Sequence, residues 1–263
     1  MVLPPLVGNY LKFCEYASQG GDGGLDLSGE TFFFPTTLLP LVALVGRNNI
    51  ALVPPSDPSV ARYLETITNG SKFDEAKQFS KSYLPSVELP RQAEESNAIL
   101  QRMCEMYDNG QNCGGENAFK YLVGEIVTNV YEHSDFSRAL VMGQIYETKG
   151  FMDLCILDDG ITIGGCFRKH GLVCESDWVA IGEAINGKST KDITRGFGLN
   201  TTVTMFTHGA QAQMLVVSGK GAYHISSSDQ QPYDIEKAYP LQGTLVSVRI
   251  PYPSPEVNIY EYL

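Results

Sequence analysis

The chain has 263 residues, of which 43% are hydrophobic and 19% charged, and a formal net charge of −11. That composition excludes a disordered chain, and the acidic balance excludes a broad nucleic-acid-binding surface. An acidic chain can still hold a polyanionic ligand, but it then needs a metal and a few local cations.

The segment before residue 89 reads as short strands and helices in alternation. A leading helix is expected over residues 3–16, then a glycine-rich turn over 19–24, a short strand over 25–27 and a helix over 36–45. A second strand follows over 49–53. Pro55-Ser56-Asp57-Pro58 opens a helix over 60–67, with Asp57 as its cap. The most apolar run, residues 31–46, is interrupted by Pro35, Pro40 and three threonines and is short for a membrane span. Residues 1–6 carry no basic residue, so no targeting signal is read there. The six cysteines contain no C-x-x-C pair, which argues against zinc. Reduced, mostly buried thiols in a cytoplasmic protein are expected instead.

A polar stretch over residues 73–86 leads to a boundary near Leu89-Pro90, and a helix of mixed polarity follows over 91–107. Residues 118–133 form a strong amphipathic helix, with Leu122, Ile126 and Val130 in one apolar row. Residues 139–147 and 151–157 read as a hairpin. Helices are expected over 177–185 and 199–206, with a glycine-bearing loop over 187–198 between them. Strands are expected over 213–217, 222–226 and 244–250. This gives an α/β fold: a small α/β domain over residues 1–89, a two-layer α/β sandwich over 90–251 and a surface tail over 252–263.

Glu125, Asn129 and His133 recur at steps of four on the 118–133 helix and share one drifting face. An amide oxygen suits Mg²⁺, a carboxylate can orient or deprotonate water, and an imidazole can reach phosphate oxygens. Taken alone, such a row is an ordinary polar face. The Leu157-Asp158-Asp159-Gly160-Ile161-Thr162 run ends an apolar segment in aspartates and a glycine. It suits recognition of an exocyclic amine against a bare backbone, or a plain β-turn. Gly196-Phe197-Gly198-Leu199 opens a helix, where backbone N–H groups can meet an anion. Lys188, Lys191 and Arg195 supply cations nearby. The run from Gly182 to Ser189 formally matches G-x-x-x-x-G-K-[ST], but a P-loop needs a strand before it and a helix after it. The predicted context is a helix before it and a loop after it.

In order, these segments resemble the GHKL superfamily of gyrase, chaperone, histidine-kinase and mismatch-repair ATPases, over roughly residues 91–251. Glu125-x-x-x-Asn129-x-x-x-His133 looks like the N box, Asp158-x-Gly160-x-Thr162 like the D-x-G-x-G box, Gly196-x-Gly198-Leu199 like the G-x-G-L box, and Gly243-Thr244 like the closing glycine-threonine. The resemblance implies ATP with Mg²⁺ held by Asn129, and Glu125 as the group that activates water. It implies that Asp158 reads the adenine amine, with Gly160 against the base and Thr244 close by. Gly196, Gly198 and Leu199 would offer amides to the phosphates, and residues 166–195 would form a mobile lid. Thr162 departs from the pattern, standing where the family has its second glycine.

The first segment resembles more loosely the STAS fold of anti-sigma-factor antagonists. There Thr36 or Thr37 lies nearest the phosphorylatable position, and a packing or partner-binding domain is the expected role. The functions implied are an ATPase or ATP-driven switch, or else a protein kinase of the anti-sigma or histidine-kinase type acting on a separate partner, or a nucleotide-binding signalling module without catalysis. A homodimer is compatible with each. None of His133, His170, His208 and His224 precedes the N box on a helix, so self-phosphorylation is not expected.

Overall fold

The computed structural model describes residues 3–19, 24–68, 82–188 and 198–262. The first elements are α1 (Pro5–Gln19), the two-residue strand β1 (Leu25–Asp26), α2 (Pro35–Asn48), the two-residue strand β2 (Leu52–Val53) and α3 (Pro58–Thr68). Pro35 starts α2 at a position where its missing N–H costs nothing. Asn49, at φ 51°, closes the helix by returning its N–H to the Val45 carbonyl. The elements that follow are β3 (Tyr83–Glu88), α4 (Ala93–Met106), α5 (Glu116–His133), β4 (Ala139–Tyr146), β5 (Phe151–Asp158), α6 (Ile163–Lys169), α7 (Asp177–Ile185) and α8 (Leu199–Thr204). A turn of π-helix over Met205–Gly209 extends α8. The chain ends with β6 (Gln213–Gly219), β7 (Gly221–Ile225), β8 (Gln230–Asp234) and β9 (Leu241–Pro251).

The α/β expectation holds. Strands β3 to β9 build a seven-stranded sheet in the order β3-β4-β5-β9-β6-β7-β8, every pairing antiparallel. One face carries α4, α5, α7 and α8. Leu122, Ile126 and Val130 of α5 pack there against Val141, Leu154, Ile156, Met214 and Val248. This is the sandwich expected of the second segment.

The other face is where the structure departs from the expected boundary. Cys155 and Leu157 of β5, and Leu215 and Val217 of β6, point into a second core made with Leu6, Tyr10 and Phe13 of α1 and Leu38, Leu39 and Leu41 of α2. The described residues between Leu3 and Thr68 therefore cover the sheet as a third layer, while β3 joins the sheet itself. The physical reason lies in the strands: both alternating faces of β5 and β6 are apolar, and a sheet with two apolar faces needs a cover on each. Polar ties reinforce the contact, with the Thr36 and Ser247 hydroxyls 2.7 Å apart and the Tyr10 hydroxyl donating to the Tyr239 carbonyl at 3.0 Å. Thr36 and Thr37, the candidate STAS-type phosphorylation positions, are 0% and 2% exposed, so burial removes them from that role.

Two edge strands were not expected from the sequence. β3 falls at the end of the segment read as a polar stretch, and β8 has no counterpart. Each contains a proline, Pro85 and Pro232. Edge strands tolerate that residue because one side of the strand needs no ladder donor. The 252–263 tail, expected at the surface, is pinned rather than loose. Ser254 and Val257 are buried, and their amides donate to the Asn112 and Gly114 carbonyls at 2.8 and 2.7 Å. All six cysteines are free thiols and five are buried. No helix among the described residues is long and apolar enough to cross a membrane.

Candidate functional site

The site is assembled where β5 ends against the C-terminus of α5. Three features hold the two together. The Ile161 amide donates to the Ser134 carbonyl at 2.6 Å. A Cβ on Gly160 would lie 2.0 Å from that same carbonyl, so only glycine allows the turn to sit this close. His133, the last residue of α5, lies with Nδ1 3.9 Å from the Cys166 thiol of α6. Glu125, Asn129 and His133 are all half-buried along α5. Burial, with His170 adding to it, pushes the His133 imidazole below its ordinary value. At neutral pH it therefore offers one N–H and no charge.

The paired aspartates divide their work. Asp159 Oδ1 accepts the amides of Ser137 and Arg138 at 2.7 and 2.6 Å, which spends it on holding the approach to β4. Asp158 is 3% exposed and stands opposite Thr244 in the β5–β9 ladder. Burial drives its carboxyl up to about 7, while hydrogen bonds from the Gly160 and Thr244 amides act the other way. Gly243 adopts φ +89°, and a Cβ there would meet the Asp158 carbonyl at 2.0 Å. The closing glycine-threonine is thus pressed directly against the aspartate turn.

Thr162 has a structural role of its own. It caps α6, its hydroxyl accepting the Gly165 amide at 2.9 Å. The segment expected to be a lid over residues 166–195 is in part ordered helix. α6 begins at this cap, and α7 is tied to the β6–β7 turn through Asp177, whose Oδ2 accepts the Lys220 amide at 2.8 Å. Gly219 and Gly164 allow Asp177 in, since a Cβ on either would come within 2.3 and 2.7 Å of its carboxylate oxygens. Gly182 to Ile185 close α7, which leaves the formal P-loop pattern without the strand it requires.

Gly198 caps the start of α8, and Leu199 packs against the core beneath α5. The Asn200 side chain donates to the Ile185 carbonyl at 2.7 Å, joining the start of α8 to the end of α7. Lys188 is paired with Glu183 of its own segment at 3.0 Å, both largely exposed. Lys191, Arg195 and Gly196 lie outside the described residues. The sequence reading missed Ser134, whose carbonyl receives the turn, and Ser218 at the end of β6, which bonds both α6 and the Gly243-Thr244 turn. A serine ending an apolar strand just before a Gly-x-Gly turn was the available signal.

Among the described residues no group of three His, Cys, Asp or Glu side chains could hold a metal ion by itself. No family model matches the chain, and no curated protein does. Among solved structures, a histidine kinase domain from the blue-light activated histidine kinase of Erythrobacter litoralis EL346 is similar at 13% identity. The match covers 94% of each chain with a TM-score of 0.30.

Proposed function

We propose that the chain binds ATP with Mg²⁺ at the junction of α5, the Asp158–Thr162 turn and Gly243-Thr244, and hydrolyses it as a regulatory switch. One observation carries this reading. Segments spread between residues 125 and 244, which resemble three of the GHKL boxes, meet at one end of one sheet, with Asp158 opposite Thr244 in the ladder and accepting the Gly160 amide. A buried carboxylate with depressed acidity, steadied by the Gly160 and Thr244 amides, suits an exocyclic amine. The half-buried amide of Asn129 supplies an oxygen suited to a phosphate-bound Mg²⁺, whose role would be to neutralise phosphate charge. Glu125, one helical turn earlier on the same face, would orient water and accept its proton.

The test is incubation of the intact chain with γ-labelled ATP, with and without cell extract. Release of free phosphate is the expected result. Glu125→Ala should lower that rate at least tenfold while leaving nucleotide affinity within about twofold of the wild type. Label appearing on a second protein would replace hydrolysis by phosphotransfer, and an unchanged rate in Glu125→Ala would remove that residue from catalysis.

A further inference from the structure

We propose that Ser218 positions the Thr244 hydroxyl as a hydrogen-bond acceptor, so that the site prefers a base bearing an exocyclic amine over one bearing a carbonyl at the same place. The inference rests on the nucleotide-binding reading above and assigns the base selectivity to a residue outside the motif segments.

Ser218 is fully buried, and its Oγ has three partners among the described residues. The Ile163 amide donates to it at 2.9 Å, the Gly243 carbonyl lies at 3.2 Å and Thr244 Oγ1 at 2.9 Å. A hydroxyl has one proton and two lone pairs. The Gly243 carbonyl can only accept, so the Ser218 proton goes there. The Ile163 N–H can only donate, so it takes one lone pair of Ser218. The remaining lone pair must then accept from Thr244. With its proton committed to Ser218, Thr244 Oγ1 has only lone pairs left to present. It stands opposite Asp158, whose carboxylate is likewise an acceptor.

Two acceptors side by side fit an amine and oppose a carbonyl. An unmatched polar group in a buried site is a strong source of discrimination, because the wrong ligand leaves buried groups unpaired. Ser218 also ties the start of α6 to this wall through Ile163, so the same hydroxyl fixes the helix that begins the expected lid.

The experiment is calorimetric titration of adenosine and of inosine, which carries a carbonyl in place of the amine, into the wild type, Ser218→Ala, Ser218→Thr and Thr244→Val. The wild type should prefer adenosine. Ser218→Ala should cut the adenosine-to-inosine ratio by about 3- to 10-fold, the worth of one hydrogen bond, and Ser218→Thr should restore it. A ratio in Ser218→Ala equal to that of the wild type overturns the inference while leaving nucleotide binding intact. Failure of the wild type to bind either nucleoside overturns the nucleotide reading itself. Should Ser218→Ala not fold, Thr244→Val removes the oriented hydroxyl at nearly constant shape, and an unchanged ratio there is equally fatal.

Discussion

Asp158→Asn should make the ligand-free chain more stable at pH 8 than the wild type, and unable to bind adenosine at any pH. Both effects follow from where the carboxyl sits. It is 3% exposed, and burial raises it from the ordinary carboxylate range to about 7. A carboxyl raised on folding favours the folded state least where it is ionised in both states. Its penalty is absent below the unfolded value near 4, grows between about 4 and 7, and is fully present above 7. Removing the charge therefore helps at pH 8 and does nothing at pH 4. A rise of about three pH units corresponds to a ceiling of roughly 4 kcal/mol. The asparagine keeps one acceptor oxygen for the Gly160 and Thr244 amides, so about half of that, near 2 kcal/mol, is the expected gain. Denaturant unfolding of both proteins across this range measures it. A destabilised variant at pH 8 would show that the carboxylate is supported by its surroundings rather than held against them.

In the wild type the same group should make adenosine binding pH-dependent. Affinity should be nearly level above pH 8 and fall towards tenfold per pH unit below 6, as the acceptor is protonated. Adenosine is the right probe because it has no phosphate that titrates in this window. A carboxylate kept where it destabilises the fold is what a binding site demands, and stability is commonly sacrificed there.

The second large effect is expected at the opposite end of the sheet. Asp153 is fully buried and receives Nε and Nη2 of Arg249, each at 2.7 Å. The guanidinium lies 3.9 Å from the centroid of Phe151 and 5.1 Å from that of Phe34 at the start of α2. This pair joins the central strands to the N-terminal layer. Burial raises the Asp153 carboxyl, and the Arg249 hydrogen bonds act against that rise. Arg249→Met strands the carboxylate without a partner and should cost about 3–5 kcal/mol at pH 8. The loss should shrink as pH falls, because the orphaned group can then take up a proton. Adding Asp153→Leu to Arg249→Met should recover most of the stability, since two apolar side chains replace two buried charges. Equal costs for the single and double variants would contradict this account.

Local pattern made much of the fold legible. The apolar row of α5, the 139–158 hairpin and the 177–185 helix all depend on near neighbours in sequence, and each formed close to its expected bounds. What escaped depends on partners distant in sequence. Asp158-x-Gly160-x-Thr162 looked like a glycine box with one departure, yet the threonine is the cap of a helix. β3 and β8 went unread, and each carries a proline, Pro85 and Pro232, that is tolerated because the strand lies at a sheet edge. The boundary at Leu89-Pro90 followed a composition change, while the two-sided burial of β5 and β6 seats α1 and α2 on the second face of the sheet.

The candidate site was legible as residue types in order, but not as roles. Asp158 and Asp159 are adjacent and chemically identical. Only the amides of Ser137 and Arg138, which occupy Asp159, separate a fastening residue from the one left facing Thr244. Ser218 bears no motif at all, and its part emerges only from the three groups that surround its hydroxyl.

Calorimetric titration of Mg·ATP into the intact chain and into Asn129→Ala tests the central claim most directly. The account predicts a saturable heat at one site per chain in the wild type, and affinity at least tenfold weaker in the variant, because the amide oxygen no longer meets the phosphate-bound cation. No heat in the wild type, or equal affinity in the two proteins, would contradict it.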